Sequence, residues 1–118
     1  MNFPILGAAF LTMSAVACGS ATLPAARMAT AQSSIGAANA VGATQNPAAA
    51  LHLQYAREEY AQAEVLSRDG DGERAEVVLL RAESDAQLAT EITRRDLART
   101  AALSARAASN TPAPPVTP

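Results

Sequence analysis

The chain has 118 residues, of which 49% are hydrophobic but only 3% aromatic, so the large side chains that a β-sandwich core needs are scarce. Alanine favours helix and buries little area per residue, so this Ala-rich composition suits closely packed helices. The net charge is −2, there is no lysine, and the arginines are interspersed with acids, which argues against nucleic acid as a partner.

The N-terminus predicts an export signal. Residues 3–17 are apolar and uncharged, and their number suits a signal peptide better than the roughly 20 residues of a transmembrane helix. Small residues then surround the single cysteine in the segment Ala15-Val16-Ala17-Cys18-Gly19. This segment resembles the bacterial lipobox. The resemblance implies cleavage between Ala17 and Cys18 and attachment of lipid, palmitate included, to Cys18.

A lipid on Cys18 would explain an unpaired cysteine in an exported chain. Two or more acyl chains would hold the protein stably on a membrane. By analogy with lipoproteins of diderm bacteria, Gly19 in place of Asp implies the outer membrane, with the protein facing the periplasm. Two other interpretations stay open, because the n-region Met1-Asn2 carries no positive charge. These are a cleaved signal peptide with an unrelated cysteine, and an uncleaved helix.

Three helices are predicted after a tether at residues 18–23. In the first, over residues 24–41, apolar and small residues recur at three- and four-residue spacing. Asn46-Pro47 then marks a helix start, because Asn caps and Pro suits the first helical position. This second helix ends near Arg68, before the turn at 69–72, and its apolar face carries Ala49, Leu53, Ala56, Tyr60, Ala63 and Leu66.

The third helix is predicted to begin near Glu73 and to be much longer than the second. Neither Gly nor Pro interrupts it before Asn110, so it could reach about 50 Å, with its last third exposed, frayed or bound to a partner. Apolar and small residues recur along it at alternating spacings of four and three residues, as in a coiled coil. They define an apolar face that consists of Ala75, Leu79, Ala82, Ala86, Ala89 and Thr93. Val78, Leu88 and Ile92 are expected to support this face. We therefore expect an all-α hairpin or bundle of two to three helices over residues 24–108, and a disordered Pro-rich tail over 109–118.

Two segments of this hairpin resemble a known family. Residues 56–75 read A-R-E-E-Y-A-Q-A-E-V-L-S-R-D-G-D-G-E-R-A, and residues 79–89 contain the motif Ala82-Glu83-Ser84-Asp85-Ala86-Gln87-Leu88-Ala89. Together with the lipobox they resemble bacterial lipoproteins described only as domain of unknown function 4398. The resemblance covers about residues 24–103 and implies a lipobox, an Ala-rich first helix and a helical hairpin with a Gly-Asp turn.

Candidate sites for chemistry are few. An EF-hand that began at Asp69 would need a Glu at its twelfth position, where Leu80 stands, so residues 69–73 are predicted to be a turn. His52 has no ligand partners at helical spacing and is expected to be a surface or edge histidine. Tyr60 is expected in the core, whereas Tyr55 lies off the apolar face. No metal or other cofactor is predicted.

Asp85 lies beside the apolar face of the third helix. It is predicted to pair with an arginine of the second helix, Arg57 being one candidate, and both residues are candidate contacts for a partner. No set of nucleophile and base is present, so we expect a non-enzymatic envelope scaffold or adaptor that binds an envelope protein or a second copy of itself. The alternative is a module that binds an envelope ligand such as peptidoglycan, although aromatic residues for stacking on sugars are scarce.

Overall fold

A computed structural model of the chain describes residues 25–110, which form three α-helices joined by short turns. Helix α1 spans Ala25–Ala40, α2 spans Pro47–Arg68 and α3 spans Gly72–Ser109. A 3₁₀ turn at Ala43–Gln45 connects α1 to α2. The expected all-α class, the helical hairpin and the long C-terminal helix are confirmed. The segments before residue 25 and after residue 110, including the Pro-rich tail, lie outside the described residues.

Local sequence explains where α2 begins and ends. The Asn46 side chain accepts hydrogen bonds from the backbone N–H groups of Ala48 and Ala49, at 3.0 and 3.1 Å, as its predicted capping role requires. At the other end, Gly70 has a φ of +82°, a left-handed conformation that glycine adopts without a steric penalty. The N–H of Asp71 bonds to the carbonyl of Leu66 at 2.9 Å, completing a Schellman motif.

The three helices pack up, down and up. Ala31 near the start of α1 shares a core cluster with Ala63 of α2 and Ala75 of α3, beside the α2–α3 turn. Ala38 near the end of α1 shares a second cluster with Leu53, far from that turn. Helix α1 is therefore antiparallel to α2 and parallel to α3, and it begins at the end of the bundle where the turn lies.

The core is built mostly from alanine, and Leu53 and Leu79 are the largest side chains that are fully buried among the described residues. Every position of the predicted four-three face of α3 is buried, from Ala75 to Thr93, so that prediction is confirmed. Leu88 is an exception to its predicted supporting role, because it lies on another face and is 44% exposed. The buried Thr93 hydroxyl donates to the carbonyl of Ala89, which satisfies it inside the core.

Helix α3 extends well beyond the bundle. At 1.5 Å per residue its 38 residues measure about 57 Å, against about 33 Å for the 22 residues of α2. The last buried residue of α3 is Thr93, and every residue from 94 to 109 is exposed. We call residues 94–109 the projecting segment. It leaves the bundle at the end opposite the α2–α3 turn and the start of α1.

Candidate functional site

A half-buried polar cluster joins α2 to α3. His52 Nδ1 lies 2.8 Å from Asp85 Oδ1, with the two side chains only 29% and 25% exposed. A carboxylate only accepts hydrogen bonds, so a contact with ionised Asp85 requires a hydrogen on Nδ1 of the imidazole. The ring of Tyr55 meets the His52 ring edge-on, with centroids 6.2 Å apart. The histidine is therefore held in one orientation by a carboxylate and an aromatic ring.

Glu59 brings a second carboxyl group to the same cluster. It follows His52 by two helical turns on α2, so both side chains point toward α3. Burial raises the pKa of Glu59. The negative charge of Asp85 and a hydrogen bond to it raise the pKa further, while nearby Arg81 opposes the rise. The carboxyl therefore holds its proton to higher pH than an exposed glutamate does.

One oxygen of Glu59 lacks a hydrogen-bond partner. Oε2 is the only buried side-chain nitrogen or oxygen in residues 25–110 for which the structure shows none. A buried acceptor without a partner costs about 1–3 kcal/mol. A hydrogen-bond donor placed at this oxygen would therefore remove that cost.

An open groove of about 450 Å³ lies over this cluster. Its polar lining includes Glu59, Arg81 and Asp85, and its apolar lining consists of Val77, Leu80 and Leu88, each 43–47% exposed. The α3 residues of the groove recur at helical spacing on a face that points away from the core residues. The groove thus combines exposed apolar surface with carboxylates and one arginine.

The projecting segment is basic. It carries one acid, Asp96, and four of the nine arginines, which are Arg94, Arg95, Arg99 and Arg106. Its net charge is therefore +3, and because the whole chain has a net charge of −2, the remainder carries −5. The expectation that the arginines are interspersed with acids is thus wrong for this end of the molecule. A depression of about 280 Å³ separates the start of α2 from Arg95 and Arg99.

The predicted site residues have varied outcomes. In place of the expected pair between Arg57 and Asp85, Asp85 contacts His52, and Arg57 Nη2 donates to Asn39 Oδ1 of α1 at 2.6 Å. The pairing differs because Arg57 lies on the α1 side of α2. Ala17 and Cys18, at the predicted cleavage and lipidation site, lie outside the described residues. Whether Asp85 or Arg57 binds a partner stays a prediction.

Sequence reasoning also missed the contact between His52 and Asp85. It treated His52 as an isolated surface residue, although folding the hairpin about Gly70 places positions 52 and 85 nearly opposite each other. The similar sequence distances of positions 52 and 85 from the turn could therefore have predicted this contact. Glu91 forms an ion pair with Arg94 at 3.1 Å on the surface of α3. Tyr60 packs against the core as predicted, whereas Tyr55 is 45% exposed.

The carboxyl groups of Glu59 and Asp85 in the groove can share a proton with each other or form ion pairs with a cationic group. Ser84 contributes a hydroxyl group to the groove lining, but Ser84 Oγ already donates a hydrogen bond to the carbonyl of Leu80 in the same helix, at 2.9 Å.

Within residues 25–110, no three His, Cys, Asp or Glu side chains converge in a way that could hold a metal ion. The same residues contain no helix that is both long and apolar enough to cross a membrane.

Comparisons with models of protein families, with curated proteins and with solved structures found no match to this chain.

Proposed function

We propose that this protein is a lipid-anchored scaffold or adaptor of the bacterial cell envelope, of the domain of unknown function 4398 type. In this proposal a lipid on Cys18 holds the chain on the outer membrane, facing the periplasm. The three-helix bundle then presents the projecting segment of α3 to a protein partner. The anchor is supported by the lipobox-like segment 15–19 and the apolar run before it.

The observation that carries the proposal is that α1 begins at the end of the bundle opposite the projecting segment. Helix α1 begins at Ala25, seven residues after Cys18, so the tether spans at most about 25 Å. Arg27 in the first turns of α1 lies 3.3 Å from Glu76 near the α2–α3 turn, which places the start of α1 at that end. A lipid on Cys18 would therefore hold the turn end near the membrane, while residues 94–109 lie at the opposite end of the bundle.

Replacement of the cysteine tests the anchor. We expect Cys18→Ala to abolish palmitate labelling and to release the protein from the membrane fraction. Ser20→Ala, two residues further along, is the matched control and should label and pellet like the unmodified chain. A Cys18→Ala protein that still labels and still pellets with membranes would show that the lipobox interpretation is wrong.

A pull-down with purified peptidoglycan separates the scaffold from the alternative function. A scaffold that acts through a protein partner should not be retained on peptidoglycan. Retention that survives removal of the lipid would favour an envelope ligand-binding module instead.

A further inference from the structure

We propose that two copies of this chain pair through one face of α3 in antiparallel orientation, so that the projecting segment of each copy lies in the groove of the other. The proposal rests on the scaffold function, because it names the partner as a second copy and locates the contact. It does not depend on the lipid. If an experiment shows that Cys18 carries no lipid, the pairing can still be tested. If the pairing fails, the proposed lipid anchor is unaffected.

The groove and the arginines lie on the same face of α3. At about 100° per residue, the positions concerned fall within a sector of about 60°: they are Val77, Arg81, Ser84, Leu88, Arg95, Arg99 and Arg106. The first four line the groove, and the other three belong to the projecting segment. Along the helix, this face therefore changes from a largely apolar surface with one arginine, beside the carboxyl groups of Glu59 and Asp85, to a row of arginines.

Charge decides the orientation of the pair. A parallel arrangement would place the arginine rows of two copies against each other. An antiparallel arrangement instead places each row beside the groove of the other copy, where Glu59 and Asp85 outnumber Arg81. Opposite charges across an interface fix its register and suppress wrong pairings. The net charges of +3 on the projecting segment and −5 on the rest of the chain favour the same arrangement.

The groove also fits the chemistry of an incoming arginine. Glu59 Oε2 is a buried acceptor without a hydrogen bond, and a guanidinium group offers five N–H donors in a planar fork. With the two-fold axis beside Ile92, Arg99 of one copy lies opposite residues 84 and 85 of the other. The small side chains of Ala102 and Ser84 on this face let the two helices approach closely.

Length and symmetry agree with this arrangement. The groove spans residues 77–88 of α3, about 17 Å, and the projecting segment measures about 24 Å, so it covers the groove completely. Each copy contributes one segment and one groove to an interface of this kind. The contact is therefore isologous and closes as a dimer.

Photo-crosslinking of the full chain in cells tests the proposal directly. A photoreactive amino acid at Ser84 should give a product of twice the chain mass, with the crosslink in residues 97–106 of the second copy. The matched position is Ser104, an exposed serine on the opposite face of α3, which should give at least tenfold less of that product. A crosslink from Ser84 to a different protein alone, or equal dimer yields from the two positions, would overturn the proposal.

Charge reversal provides a second measurement on the chain that begins at Gly19, which retains every buried residue from Ala31 to Thr93. We expect a dimer in sedimentation, and we expect the double variant Arg99→Glu/Arg106→Glu to weaken dimerisation at least tenfold. Removal of residues 97–118 should leave a monomer. Arg94→Glu is the matched control, because Arg94 lies off the shared face and should leave the dimer intact. A chain that is monomeric before any substitution would refute the pairing.

Discussion

His52 and Asp85 connect the two long helices of the hairpin through a contact of 2.8 Å between Nδ1 and Oδ1. Both side chains are less than a third exposed, so solvent screens this contact less than it screens the surface pair Arg94–Glu91. Because the core is mostly alanine, directional contacts of this kind help to define how α2 and α3 face each other.

Removal of either partner of this contact should destabilise the bundle. We expect His52→Ala and Asp85→Ala each to lower the free energy of unfolding by about 1 kcal/mol, because each leaves a half-buried polar group without its hydrogen bond. The double variant should lose less than the sum of the two, with a coupling energy of about 0.5–1.5 kcal/mol. Urea unfolding of the three variants measures this cycle, and strictly additive losses would mean that the contact contributes nothing.

The raised pKa of Glu59 predicts how stability depends on pH. A carboxyl that binds its proton more tightly in the folded chain stabilises the fold while it is protonated. That stabilisation is lost as pH rises above 4.5, the ordinary value, and through the raised pKa of the folded state. We therefore expect Glu59→Gln to be more stable than the unmodified chain at pH 7, and the difference to shrink or vanish at pH 4.

Thermal unfolding of the Glu59→Gln variant between pH 4 and pH 8 measures this effect. Glu64→Gln, on an exposed position of the same helix, removes the same charge and controls for the change in net charge. If Glu59→Gln and Glu64→Gln follow the same pH profile, the burial of the Glu59 carboxyl has no consequence for stability.

The boundary between the bundle and the projecting segment predicts a contrast between leucines of one helix. Leu79 is fully buried, whereas Leu97 is 58% exposed. We expect Leu79→Ala to cost about 2–5 kcal/mol and Leu97→Ala less than about 0.5 kcal/mol, because only the first change leaves a cavity. Chemical denaturation at low protein concentration, where a dimer would dissociate, measures both. Similar losses at the two positions would contradict the packing described for α3.

Two glycines should respond to alanine with opposite signs. Gly70 has a φ of +82°, so an alanine there should cost about 1–2 kcal/mol and loosen the turn between α2 and α3. Gly36 lies on an exposed position within α1, and an added Cβ would meet no atom within 4 Å. Gly36→Ala should therefore stabilise the fold by about 0.5–1 kcal/mol. A loss of stability at Gly36 comparable to that at Gly70 would argue against the turn geometry.

The sequence contained enough information to predict the helices, because their ends depend on local chemistry. Asn46-Pro47 and Gly70 mark boundaries through capping and backbone conformation, which operate within a few residues. The buried face of α3 was equally accessible, because four-three spacing is a property of one helix. Leu88 was misassigned because it is apolar, although its angular position places it outside the core.

The candidate site was harder to predict because it depends on how helices face one another. Periodicity assigns a residue to a face of its own helix, but it does not say which residue of a neighbouring helix lies opposite. His52 therefore looked isolated, and Arg57 looked closer to Asp85 than it is. The basic character of the projecting segment was missed for a related reason. The arginines were compared with acids over the whole sequence, whereas the structure separates residues 94–109 from the bundle and leaves four arginines together on that exposed helix.

The projecting segment inherits its helical order from the bundle. A separate peptide of 16 residues would barely be helical in water. Its first helical turn would fix several backbone dihedral angles while forming only one hydrogen bond, so nucleation is unfavourable. Here that nucleus already exists in the packed part of α3, so residues 94–109 only propagate it. Amide hydrogens should consequently exchange in a gradient, fastest near Ser109 and slowest near Thr93. Any change that unfolds the packed turns of α3 would unfold the segment with them, and the helical surface of residues 94–109 would be lost without a substitution in it.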